Sequence, residues 1–266
     1  MKISEIYQPS NFIDILLFHM EKYPDMITYM EECISSNKVL HHNSNSIDTD
    51  FIVVTEDHKS PQEGAHNYFG NYLDDYFNSE FGINFRKDSI YTTLNGSSSY
   101  GAPFILLPTG PLRMCYSEEI YDWYMTWRKE IIDIVMHKIS TDYDEQMVAE
   151  AVFDVLESNE KDIEHIAQDL TTAFIKKGME KDNANILTNE IFNEIVSELK
   201  SLLTTYKVAK GMKELPDTLS KSNNEIMAMS KSYLLLNKKK IISKSGKTPI
   251  ELFSSVINRY NNGERF

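Results

Sequence analysis

The densest gathering of residues able to do chemistry in this 266-residue chain is Asn84–Pro108, NFRKDSIYTTLNGSSSYGAPFILLP. Arg86 offers a rigid, always charged fork suited to a carboxylate or a phosphate. Tyr91, Thr92 and Thr93 set hydroxyls on a short apolar run, and a Gly/Ser loop then leads to Tyr100-Gly101 and a second apolar run. That order suits the floor of a nucleotide-binding cleft and equally a hairpin crossing a core. A little further on, Glu118, Glu119 and Asp122 read as a helix start, where the helix dipole stabilises carboxylates. Capping is the first reading of these acids and catalysis the second.

Other constellations fall short. The stretch KSGKTP (244–249) resembles a phosphate loop, but the glycine required five residues before Gly246 is Ile241. Without it the backbone cannot wrap its N–H groups around a phosphate, and Thr248-Pro249 has the simpler reading of a capped helix start. The histidines 19, 41, 42, 58, 66, 137 and 165 form no HxxxH or HxxE set with convergent carboxylates, so no metal site is expected. Cys33 and Cys115 sit among apolar residues and read as buried thiols, not nucleophiles. Trp123 and Trp127, four residues apart, read as one core-facing helix stripe.

Charge restricts the partners. A net charge of −13 opposes sequence-independent binding to a phosphate backbone, so nucleic acid is not expected as a partner. It fits simple solubility or a basic protein partner. Residues 207–247 run the other way, with ten lysines against Glu214, Asp217 and Glu225. The opening MKISEIYQPS lacks the apolar run of a signal peptide, and no apolar stretch approaches the ~20 residues of a membrane span. No membrane association and a cytoplasmic location are expected.

The positioning elements follow from periodicity. Two short helices are predicted over 11–35, a polar loop over 41–50 and a buried-type strand at 51–55. A helix with an aromatic stripe follows over 62–80, closed by Phe81-Gly82. Strands are predicted at 89–93, 103–107 and 112–116, and a helix opens at Ser117. Beyond it only helices are predicted, near 143–157, 160–179, 186–210, 223–236 and 249–260. The expected architecture is α+β, with a small mixed or antiparallel sheet module over 1–138 and an all-α module over 139–266.

Over residues 55–125 the chain resembles a family of uncharacterised tailed-phage proteins. The matching residues are His66, Phe77, Phe81-Gly82, Arg86, Ser89, Tyr91, Thr92, Tyr100-Gly101, Pro108, Gly110, Tyr116-Ser117 and Tyr121-Asp122. The same order is similar to the core of the ADP-ribosyltransferase fold, and that resemblance implies NAD as cofactor. It would make Tyr91 the residue stacking on nicotinamide, on a hydroxyl strand with Thr92 and Thr93. Arg86 or His58 would hold a phosphate or ribose, with Tyr100 beside them, and Glu118 or Glu119 would supply the carboxylate. A carboxylate there would stabilise the oxocarbenium-like centre left by departing nicotinamide. Two features depart from that fold: Glu118 and Glu119 are adjacent instead of spaced, and FIVVTEDH (51–58) lacks the usual Arg-Gly or His-Gly. The plain alternative is that Arg86 pairs with a carboxylate and 90–93 is a half-buried strand.

Two functions follow. The first is a phage-encoded interaction protein without catalysis or cofactor, acting in the host cytoplasm. It would inhibit a host defence protein or serve in the virion, and self-association is expected of its helical half. The second is an ADP-ribosyltransferase-like enzyme that uses NAD to modify a host target.

Overall fold

The computed structural model describes residues 11–45, 49–55, 68–96, 101–138, 148, 150–152, 155 and 163–265. In chain order the elements are α1 (Phe12–Lys22), α2 (Pro24–Ser36), β1 (His41–Ser44), β2 (Phe51–Val54), α3 (Tyr68–Phe81) and α4 (Phe85–Asp88). Strands β3 (Ile90–Thr92), β4 (Ala102–Pro108) and β5 (Arg113–Tyr116) follow, then helices α5 (Trp123–Lys138), α6 (Ile163–Lys176) and α7 (Lys181–Leu203). After them come β6 (Lys207–Ala209), 3₁₀ turns at Met212–Glu214 and Asp217–Ser220, β7 (Ile226–Met229), β8 (Tyr233–Asn237), α8 (Lys238–Ser245) and α9 (Pro249–Asn261).

The fold is α+β, but the order differs from a sheet module followed by helices. The chain divides into two interleaved compact units. The first comprises Met1–Ser60, Asp88–Glu118 and Lys207–Phe266, and the second Pro61–Lys87 and Glu119–Tyr206. The boundary expected after residue 138 falls inside the second unit. Strands β6, β7 and β8 correct the expectation that no strand follows Tyr116, and the helix expected over 223–236 is the β7–β8 pair.

The first unit holds two antiparallel sheets of four strands, ordered β1-β4-β8-β2 and β3-β7-β5-β6. β4 runs on into β5, and β7 into β8, so the same two chain segments pair in both sheets. At the corner Thr109 N–H donates to Ser232 O at 3.0 Å. On the opposite side His41 and Thr93 exchange backbone hydrogen bonds of 2.8 and 2.9 Å, which link strand β1 of one sheet to the end of β3 in the other. Residues 41–44, expected as loop, are therefore strand. One core lies within, including Leu16, Met30, Phe104, Leu106, Leu234, Leu236 and Phe253.

Local signals set the helices of this unit. The Asn11 side chain accepts from Asp14 N–H and caps α1, and Pro24 occupies the first turn of α2. Thr248 and Glu251 form a reciprocal capping box at α9.

The second unit is helical among its described residues. Phe174, Ala184, Ile191, Ile195 and Leu199 of α6 and α7 form its core with Ile134 of α5 and with Val148 and Val152. Phe77 and Phe81 of α3 meet Phe85 edge-on, and Phe77 also meets Tyr206 at 5.1 Å between ring centroids. The cap of α5 is Asp122, whose carboxylate accepts from Met125 N–H at 2.7 Å, not Ser117 as the sequence predicts.

Candidate functional site

Arg86 is buried, 7% exposed, and gives both edges of a fork to Asp74, itself 3% exposed. Nε donates to Oδ1 and a terminal nitrogen donates to Oδ2, each at 2.7 Å, and Lys87 Nζ adds a contact of 2.8 Å. Burial by itself would raise the Asp74 carboxyl. The hydrogen bonds and charges of Arg86 and Lys87 outweigh it and hold the group below its ordinary value. This is the plain alternative anticipated from the sequence: the arginine pairs with a carboxylate, here from α3.

The hydroxyl strand is built into the first unit. In β3 the side chains alternate, so Ile90 and Thr92 are buried while Tyr91 is half-buried on the opposite face. The three hydroxyls therefore do not form one row. Thr92 Oγ1 donates to the Ile226 carbonyl at 2.8 Å, and the Tyr91 carbonyl accepts from His42 Nδ1 at 2.9 Å. Burial lowers the His42 pKa, with that hydrogen bond acting the other way. Gly101, after that strand, serves sheet pairing. Gly101 has φ +66°, and a Cβ there would lie 2.5 Å from Ser44 O on the neighbouring strand.

Glu118 belongs to the first unit and Glu119 to the second. Glu118 Oε2 accepts from Thr218 Oγ1 at 2.6 Å and Oε1 pairs with Lys207 Nζ at 3.1 Å. The Thr218 hydrogen bond, then Lys207, lowers its pKa. Its carbonyl and that of Ser117 accept from Asn224 Nδ2 at 2.9 and 3.0 Å, tying the end of β5 to residues 218–224. Glu119 is exposed and engaged in an interaction of its own. Arg86 falls in the second unit, while Tyr91, Thr92, Thr93 and Glu118 fall in the first. His58, His66 and Tyr100 lie outside the described residues.

Among the described residues no group of three or more His, Cys, Asp or Glu could hold a metal ion, and no helix is long and apolar enough to cross a membrane. Cys33 and Cys115 are buried free thiols whose pKa burial pushes up, which suits neither nucleophile nor ligand.

Sequence reasoning missed a cleft in the first unit, of about 370 Å³. One wall is α2, with Asp25, Thr28 and Glu32; the other carries the β4–β5 corner, Arg113, Lys210 and Gly211. Glu32 Oε2 accepts from Met212 N–H at 2.8 Å and lies 2.5 Å from where a Cβ on Gly211 would be, so a side chain at 211 would displace the Glu32 carboxylate. No short motif announces this cleft, because its walls come from three distant parts of the chain. A second cavity, about 250 Å³, is lined by Asn11, Phe12, Asp50, Lys244 and Lys247, and Asp50 is already paired with Lys244 at 2.6 Å.

Comparison with models of protein families, with curated proteins and with solved structures gives no match.

Proposed function

We propose that this chain is a binding protein without catalytic activity, and that its acidic helical unit docks on a basic protein surface. The observation that carries this reading is that Arg86, Thr92 and Glu118, three of the candidate residues for a nucleotide-cleaving site beside the alternatives His58 and Glu119, are each tied to partners within the protein. Charge supplies the partner's chemistry. The second unit has 23 Asp and Glu against 10 Lys and Arg, whereas the first has 17 of each, so the whole net charge of −13 belongs to the helical unit. Such a field steers and holds a cationic surface more than it stabilises a fold.

The likeness to tailed-phage proteins gives the setting, a protein made in the host cytoplasm that engages a host defence protein or a component of the virion. A second copy of this chain is also a candidate partner through its lysine-rich 207–247 stretch. The competing reading is an ADP-ribosyltransferase-like enzyme with NAD as cofactor; the hydroxyl-bearing β3 favours it.

Affinity capture from host lysate tests the proposal, run in about 0.05 M and about 1 M salt, which shortens the Debye length to about 3 Å. The expected result is a stoichiometric basic partner retained only at low salt. The variant Asp169→Asn, Asp182→Asn, Glu190→Gln, altering exposed acids of α6 and α7, should weaken retention. No partner at low salt, or capture unaffected by salt and by the variant, would contradict the proposal.

A further inference from the structure

The cleft beside α2 has two walls of opposite charge, and among the described residues no ion pair spans it. Asp25, Thr28 and Glu32 stand at positions i, i+3 and i+7 of α2, so they share one helical face. On the other wall β5 and β6 pair Met114 with Ala209, and the next residue beyond that pair on each segment, Arg113 and Lys210, lines the cleft. Like charges gathered on one wall of a cleft repel. Among the described residues neither side-chain cation has a hydrogen-bonding or ion-pairing partner and both residues are exposed, while the Lys210 backbone N–H donates to Glu214 Oε2 at 2.9 Å. Two unneutralised cations side by side are what a bound anion would relieve. Across from them the Asp25 carboxylate and the Thr28 hydroxyl are also exposed and unpartnered among the described residues, while Glu32 is engaged with Met212 N–H. A volume of about 370 Å³ falls in the range of small-molecule pockets.

We infer that this cleft binds a small zwitterion of the amino-acid type, its carboxylate held by Arg113 and Lys210 and its amine facing Asp25 and Thr28. The site is separate from the docking of the acidic unit, and either assignment stands without the other. Each end of the ligand supplies the charge that its wall lacks. A molecule with only one charge leaves the opposite wall unsatisfied and gains less. Glu32 and Gly211 set the width of the site, because the Glu32–Met212 hydrogen bond holds the segment after β6 against α2.

Thermal unfolding of the full chain with added ligands tests the inference. The probes are glycine, 4-aminobutyrate and 6-aminohexanoate, which differ in charge separation, with butyrate and butylamine as single-charge controls. At several times its Kd the zwitterion that spans the cleft should raise Tm by about 3 °C, and neither control should match it. Arg113→Gln and Asp25→Asn, both at exposed positions, should each fold with a Tm near that of the parent and lose the ligand-induced rise. Butyrate matching the best zwitterion would replace the assignment with a plain anion site. No rise with any zwitterion, or an equal rise in the two variants, would overturn it outright.

Discussion

Arg86 and Asp74 are more than nine-tenths buried and bound through two hydrogen bonds, so each neutralises a charge that the interior would otherwise reject. Arg86→Met should therefore cost about 3–5 kcal/mol in urea unfolding, and adding Asp74→Leu should recover much of that loss. A double variant as unstable as the single one would contradict a mutually neutralising pair. Histidine gives a second test. Burial, with Lys238 nearby, lowers the His41 pKa to about 3, and burial with Lys22 lowers that of His19 to about 4. Both lie below the unfolded value near 6.5, so below that pH the unfolded chain takes up protons that the folded chain refuses. Stability is thus complete above about pH 6.5 and falls as pH drops toward 4. His41 contributes a slope of about 1.4 kcal/mol per pH unit, which His41→Gln should remove. Asp74, with its lowered pKa, adds a further loss at more acidic pH. At this scale the sequence made it legible that Arg86 would seek a carboxylate. Which one was not legible, since α3 had first to place Asp74 twelve residues upstream.

Helices of the first unit with one face toward solvent were legible, whereas the short, partly exposed strands β1 and β6 were not. The amphipathic α1, α2 and α9 carry 3.6-residue periodicity with a side-chain cap or an opening proline, and they form where predicted. IMAM (226–229) and YLLLN (233–237) were misread as helix for a physical reason. Their Met, Ala and Leu residues favour helix by propensity, and strands with neighbours on both sides lose the alternation that marks an edge. All five residues of β8, between β4 and β2, are buried. The loop into β4 gives this scale its prediction. Gly101→Ala places a Cβ into the Ser44 carbonyl in a left-handed conformation, at an expected cost of about 2–4 kcal/mol. Unfolding midpoints in urea read this directly, and a neutral substitution would contradict the observed β1–β4 approach.

The whole molecule separates what the linear sequence mixes. Net charge, summed over the chain, gave no sign that a neutral β-rich unit is interleaved with an acidic helical one, because each unit is assembled from separated segments. The same interleaving explains why the candidate site was only partly readable. Residues 86–118 look contiguous, yet Arg86 belongs to one unit and Glu118 to the other. Contiguity in sequence had stood in for a shared cleft. What the fold shows instead is a set of polar groups committed to holding it together, and the proposed docking rests on the acidic composition of the helical unit. The central claim, binding without catalysis, is tested most directly by release of nicotinamide from NAD by the purified protein with host lysate, beside Glu118→Gln. The account predicts no release above the lysate background for either protein. Release by the parent chain that Glu118→Gln abolishes would contradict it.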